Sequence, residues 1–147
     1  MNAKKLFDLS GNVVIITGAA GNLGSQYAEG LSQVGANVVL GDLDYVKCKQ
    51  ISLKLKKKYD VDPLSLKLDL TKKLSISNLV TKTIKKYSKI DVLINNAAYQ
   101  GNNRIRKTSF EELSLHDWNQ AISVNLTGIF LICQQVGRIM KKQRTGR

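Results

Sequence analysis

The sequence predicts an α/β fold: an open, doubly wound parallel sheet of four strands, in the order 3-2-1-4, with helices on both faces. Three observations predict it. Short apolar runs alternate with segments of helical spacing along the chain, and such alternation makes right-handed βαβ units with parallel strands. A glycine-rich turn, Thr17-Gly18-Ala19-Ala20-Gly21-Asn22-Leu23-Gly24, joins the first apolar run to the first helical segment. An acid, Asp42, closes the second apolar run, about 20 residues after that turn.

The elements follow in order. Residues 12–17 read as a buried strand. Leu23–Val34 reads as a helix with Leu23, Tyr27, Leu31 and Val34 facing inward and Gly35 as its stop. Residues 37–41 form a second strand. Asp44–Tyr59 is a helix with Cys48, Ile51, Leu55 and Tyr59 along one side. Leu64–Leu68 is the third strand, after the break at Pro63. Thr71–Tyr87 is a helix with Ile76, Leu79, Val80, Thr83, Ile84 and Tyr87 inward, and residues 91–94 make a fourth strand with an open outer edge. A polar loop runs from Tyr99 to Glu112. The last helix begins at Ser114, which caps it with Asp117 three residues on, and its apolar pattern runs to Lys141. Trp118 falls on its inward side, and the apolar surface is wide enough to need cover on several sides.

Composition narrows the function classes. The 147 residues suggest one domain, 1–147, with an ordinary apolar share of 43%. A net charge of +12 raises the question of a nucleic-acid partner. However, the densest lysines (Lys54, Lys56, Lys57, Lys58 and Lys82, Lys85, Lys86) sit at helix ends, where the dipole favours cations, and few aromatics are present for base stacking. No nucleic-acid partner is expected. Cys48 and Cys133 show no metal-binding or disulfide spacing, so no metal is expected and a reducing cytoplasm fits. Lys4 and Lys5 precede an apolar run, but Thr17-Gly18 breaks it too early for a signal peptide. No stretch of transmembrane length and no membrane partner are expected.

The glycine turn is the main carrier of chemistry. Between a strand and a helix start, main-chain amides and the positive end of the helix dipole can hold a diphosphate. Glycines allow the tight turn and the close approach. Asp42 can accept hydrogen bonds from ribose hydroxyls and repels a 2′-phosphate, which favours NAD over NADP; Lys47 weakens that preference. Asp42 and Asp44 could instead only cap the next helix.

Thr17–Gly24, Asp42, Leu68-Asp69-Leu70, Asn95-Asn96-Ala97-Ala98 and Val124-Asn125-Leu126-Thr127-Gly128 stand in an order that resembles the short-chain dehydrogenases/reductases. The resemblance runs from Leu9 to Lys141. It implies a Rossmann-type fold and hydride exchange between nicotinamide and an alcohol or carbonyl substrate. Gly18, Gly21, Asn22, Leu23 and Gly24 would serve the pyrophosphate and ribose. Asp42 and Leu43 would hold the adenosine ribose, and Asp69 and Leu70 would flank the adenine. Asn96 and Ala97 would support the nicotinamide-side ribose. Asn125 would be the Asn of the family's Asn-Ser-Tyr-Lys set, positioning a water in the proton relay. Asp69 could alternatively cap the third helix, and Asn95 reads as a brace within the sheet. Asn125, on an apolar face, needs hydrogen-bond partners in any case. His116, in the first turn of its helix, reads as a solvated residue.

The sequence departs from the family's pattern in three places. Asn22 replaces a glycine, and Asn tolerates left-handed geometry better than most residues. Ala98 replaces another glycine, adding a methyl near the cofactor. The family's Ser and Tyr-x-x-x-Lys lie beyond the long helix, and this sequence reaches only Arg147. Tyr45 and Lys49 have the right spacing but fall in the second helix. The expectation is therefore a truncated NAD-dependent oxidoreductase, inactive on its own, that pairs as a homo-oligomer through the 114–141 helix. Two alternatives remain, a non-catalytic dinucleotide-binding module and a basic nucleic-acid-interacting protein. The polar residues Asn102, Asn103, Arg104 and Arg106 hint at a polar or anionic substrate.

Overall fold

The computed structural model describes residues 7–101 and 107–147; Lys4, Lys5, Asn102, Asn103, Arg104 and Arg106 lie outside the described residues. The elements are β1 (Val13–Thr17), α1 (Asn22–Gln33), β2 (Asn37–Asp42), α2 (Tyr45–Lys58), β3 (Leu64–Lys67), α3 (Lys73–Tyr87), β4 (Val92–Ile94), α4 (Leu115–Ile122), a π-helical segment (Ser123–Gly128) and α5 (Ile129–Gln143). The last three run as one continuous helix. The sheet is parallel, in the order β3-β2-β1-β4 that the sequence predicts. Val14 pairs with Val38 on one side and Val92 on the other, and Val39 with Leu64.

β1 is buried along its whole length, as a central parallel strand covered on both faces must be. Its side chains alternate between two cores. Val13 and Ile15 join Val39, Leu66, Ile76, Leu79, Ile132 and Val136, which lie under α3 and α5. Val14 and Ile16 join Val38, Leu40, Ala28, Cys48 and Leu55, under α1 and α2. The inward faces expected for the second and third helices are those observed.

The first helix differs. Gly24, Ala28 and Ser32 are its buried residues, whereas Leu23 and Tyr27 are 59% and 42% exposed. Small residues win because the helix lies almost against the turn it leaves: a Cβ at Gly24 would sit 2.2 Å from the Gly18 carbonyl oxygen. A Leu or Tyr cannot occupy that contact.

The last helix also corrects the reading. Ser114 caps it as expected, accepting from the Asp117 N–H at 3.1 Å and donating to its carboxylate at 2.7 Å. Trp118, however, is 48% exposed rather than core, and Leu115, Leu126 and Phe130 are exposed with it. Ile132, Val136 and Gly128 are the contacts that seat the helix. Over Leu115–Gln143 the helix is long and apolar enough to cross a membrane by length and composition, with a mean hydropathy of 1.2 in its best window. The sequence predicts nearly this length, from Ser114 to Lys141, and the expectation of no stretch of transmembrane length is corrected.

Two amide side chains of this helix bracket β4. Gln143 accepts from the Ile90 N–H at 3.0 Å and donates to the Ile90 carbonyl at 2.8 Å. Asn125 does the same for Tyr99, beyond the other end of the strand. The outer edge of β4 is not bare. The Arg147 N–H donates to the Asp91 carbonyl and the Leu93 N–H to the Arg147 carbonyl, both at 2.9 Å, as a parallel neighbour would.

Candidate functional site

The carboxyl ends of β1, β2, β3 and β4 open into a cleft of about 350 Å³. Parallel α/β sheets bind ligands at this rim, where neighbouring crossovers part to opposite faces. Gly18, Gly21, Asn22, Leu23, Asp42, Leu43, Asp69, Leu70, Asn96 and Ala97 all line it. The sequence therefore names most of the wall before the fold brings it together. Gly24 does not line it; it is the packing contact behind the turn.

The turn takes its shape from backbone constraints. Gly18 has φ +66°, and a Cβ there would lie 2.7 Å from the Ala97 Cα. Only glycine meets both demands. Asn22 is the first residue of α1 and does not have positive φ, so its tolerance of left-handed geometry is not called upon.

The amides of the turn do not all face the cleft. The Ala19 N–H donates to the Gly41 carbonyl, the Ala20 N–H to Asp42 Oδ2 at 2.9 Å, and the Gly21 N–H to the Gly18 carbonyl. Of the amides between the strand and the helix start, these three brace the turn. The first turn of α1 is different. Its N-cap, Gly21, has no side chain to offer, so the N–H groups of Asn22, Leu23 and Gly24 have no capping acceptor. Uncapped donors at the positive end of a helix dipole are the kind of group that can receive an anion.

Asp42 joins the turn to β2. Its Oδ2 takes the Ala20 N–H, and its Oδ1 takes the Asp44 N–H at 3.0 Å. The capping role considered for the two acids belongs to Asp44, which accepts from the Lys47 N–H at 2.9 Å. A carboxylate oxygen has two lone pairs, so Asp42 keeps acceptor capacity toward the cleft.

Asp69 accepts from both the Thr71 N–H and the Thr71 hydroxyl, at 3.0 and 2.6 Å, and lies 3.4 Å from Lys72 Nζ. The Thr71 hydroxyl holds its carboxyl below the ordinary value. It shapes the turn before α3, while Lys72 occupies the N-cap position. Asp69 therefore does not cap that helix, the alternative considered for it; it forms the turn before it and lines the cleft.

β1 and β4 are tied together above the sheet by Thr17 and Asn96. The Thr17 hydroxyl accepts from the Asn96 and Ala97 N–H groups at 3.0 Å each, and Asn96 Nδ2 donates to the carbonyls of Thr17 and Gly18 at 3.0 and 3.1 Å. The brace is therefore Asn96. Asn95, expected to fill that role, is exposed and donates to Cys133 Sγ at 3.3 Å. Asn125 lies outside the cleft lining and reaches it through Tyr99, which does line it.

Tyr99, Gln100, Val124, Gly41 and Leu68 also line the cleft; Leu68 and Val124 stand in the segments that carry the family resemblance, but the sequence assigns none of the five a role at the site. Gly41 had a readable signal: it stands just before the key acid, and a Cβ there would lie 2.8 Å from Leu79 and 2.9 Å from Leu68. The others carry no residue type that marks a site.

The sequence profile of short chain dehydrogenases matches residues 12–147. The chain belongs to the short chain dehydrogenase family. Its similarity to 5-keto-D-gluconate 5-reductase of Escherichia coli (strain K12) is 32% identity over 142 residues, covering 97% of this chain and 54% of that protein. A crystal structure of NAD+-bound xylitol dehydrogenase superposes with a TM-score of 0.86 at 29% identity, covering 94% of this chain and 51% of that one. An alcohol dehydrogenase from Thermococcus sibiricus, complexed with 5-hydroxy-NADP, superposes at 0.83 with 25% identity, covering 91% and 55%. The chain thus spans about half the length of the family members it matches.

Proposed function

We propose that residues 1–147 form the dinucleotide-binding part of an NAD-dependent oxidoreductase acting on a small alcohol or carbonyl substrate. One observation carries the reading: orphan amides at the start of α1 and the Asp42 carboxylate meet at the rim of one cleft. The residues fit the group. Asn22 and Leu23 would bind the pyrophosphate, Asp42 and Leu43 the adenosine ribose, Asp69 and Leu70 the adenine, and Asn96 and Ala97 the second ribose. Bound nicotinamide would supply hydride transfer; the protein orients it and moves a proton. Asn125 is proposed as the catalytic asparagine. A carboxylate fixed at the ribose position supports NAD over NADP, and relatives include proteins named with either cofactor.

No Tyr-x-x-x-Lys falls at the cleft within these residues, so the chain is expected to bind cofactor without turnover. A binding module without catalysis differs only in lacking that part for good. The exposed apolar side of α4 and α5 supports a homo-oligomer through residues 114–141. A cytoplasmic protein with no nucleic-acid, membrane or metal partner completes the reading.

Calorimetric titration with NAD and with ADP-ribose tests it. Saturable binding that weakens at least tenfold in Asp42→Ala is expected. A folded chain that binds neither ligand at millimolar concentration overturns it, and salt-sensitive DNA binding would favour the nucleic-acid alternative.

A further inference from the structure

We propose that Gly128 is a positioning residue that sets the adenine side of the cleft by holding the long helix against Leu70. The inference rests on the dinucleotide reading above. Gly128 ends the π-helical segment and is buried. A Cβ built on it would lie 2.8 Å from Leu70 Cβ, 3.2 Å from the Leu70 carbonyl oxygen and 3.3 Å from the Ser123 carbonyl oxygen. The first two are near the backbone of Leu70, so no rotation of a side-chain tip relieves them. Leu70 itself is only 5% exposed, belongs to the core under α3 and α5, and lines the cleft.

The helix cannot easily give way. Asn125 ties it to Tyr99 on one side of Gly128, and Ile132 and Val136 sit in the core on the other. The π-helical segment ends at Gly128, against Leu70 beyond the end of β3, and π turns are frequent at functional sites. An added methyl at position 128 therefore pushes Leu70, and Leu70 moves into the space that the adenine needs. Gly137 supplies a matched control on the same helix, because a Cβ there meets nothing within 4 Å.

The test compares Gly128→Ala with Gly137→Ala in titrations with AMP and with nicotinamide mononucleotide. AMP affinity is expected to fall at least tenfold in Gly128→Ala, with nicotinamide mononucleotide affinity unchanged and Gly137→Ala binding both as the wild type does. Equal loss for both ligands, or wild-type AMP affinity in a folded Gly128→Ala, overturns the inference. Should Gly128→Ala not fold, Leu70→Gly and the Leu70→Gly/Gly128→Ala pair decide: with the 2.8 Å contact removed the pair is expected to fold and to bind AMP as Leu70→Gly alone does. A pair that remains unfolded overturns it. A wild-type chain that binds neither AMP nor NAD instead removes the cofactor reading, and this inference with it.

Discussion

The Asn125 carboxamide satisfies both backbone polar groups of Tyr99, accepting its N–H at 2.7 Å and donating to its carbonyl at 3.0 Å. One side chain stands in for a neighbouring strand. Gln143 does the same for Ile90, so the helix running from Leu115 to Gln143 grips the chain before and after β4. β4 spans only Val92–Ile94 and is hydrogen-bonded to just one other strand of the sheet. These two clamps, with Asn96 and Thr17, hold the cleft's fourth wall in register.

Replacing Asn125 by Leu removes both bonds and leaves two half-buried backbone groups of Tyr99 without partners. An unsatisfied buried group costs about 1–3 kcal/mol. Asn125→Leu is therefore expected to lower the free energy of unfolding by about 2 kcal/mol or more, and Asn125→Asp by a similar amount, because its carboxylate faces the Tyr99 carbonyl. Urea unfolding measures it. A midpoint unchanged in Asn125→Leu would show that the clamp is not needed for the fold.

Ser32 predicts the opposite sign. It is 2% exposed, and its hydroxyl has no hydrogen-bond partner among the described residues. Ser32→Ala removes an unpaired buried hydroxyl and improves helix propensity, together about 1 kcal/mol of added stability. A destabilised Ser32→Ala in the same urea experiment would show that the hydroxyl has a partner after all.

The two cysteines separate by reactivity. Burial, aided by the charge of Asp42, pushes the Cys48 thiol from its ordinary 9.0 up to about 12. Cys133 is exposed. One thiol per chain is expected to react quickly with a disulfide reagent at pH 8, and Cys133→Ser is expected to abolish that fast phase. The same shift has a stability consequence. Cys48 ionises more readily in the unfolded chain, so the stability it contributes is present below pH 9 and is lost as pH rises from there toward 12. Burial also raises the Tyr87 hydroxyl above its ordinary value, which adds to the same alkaline loss. Unfolding midpoints from pH 8 to pH 11 test this: Cys48→Ala should flatten the decline, and an equally steep decline in that variant would remove the thiol as its cause.

Fold and site were legible in the sequence to different depths. The strand order could be read because βαβ alternation and the handedness rule leave few topologies. Gly18 and Asp42 were legible because a tight phosphate-binding turn and a ribose-binding acid demand those residue types at a fixed spacing, whereas Asn96 followed only from the family resemblance. Side-chain direction was less legible. On α1 the large residues Leu23 and Tyr27 compete with Gly24 and Ala28 for the sheet, and periodicity alone does not reveal that closeness of approach decides. Trp118 was read as inward for the same reason: an apolar stripe does not say whether this sheet or another surface covers it. The clamps were invisible because Gln143 and Ile90 are 53 residues apart, and a glutamine near a helix end resembles any solvated residue.

Asp42 offers the sharpest test, because its structural and selective roles have separate readouts. Its two oxygens hold the Ala20 and Asp44 N–H groups. Asp42→Asn keeps one carbonyl oxygen, for one of those donors, and turns the other into a donor facing an N–H. Asp42→Ala removes both acceptors and leaves room for a phosphate. Both variants should lose stability, by about 1–2 kcal/mol. Only loss of the negative charge relieves repulsion of a 2′-phosphate. The ratio of NAD to NADP affinity should therefore fall at least tenfold in both variants, although the turn is damaged differently in each. Competition titrations with ADP-ribose and its 2′-phosphate measure the ratio without requiring turnover. If both ligands weaken equally, Asp42 acts only as a brace for the glycine turn, and the choice between the two cofactors is made elsewhere.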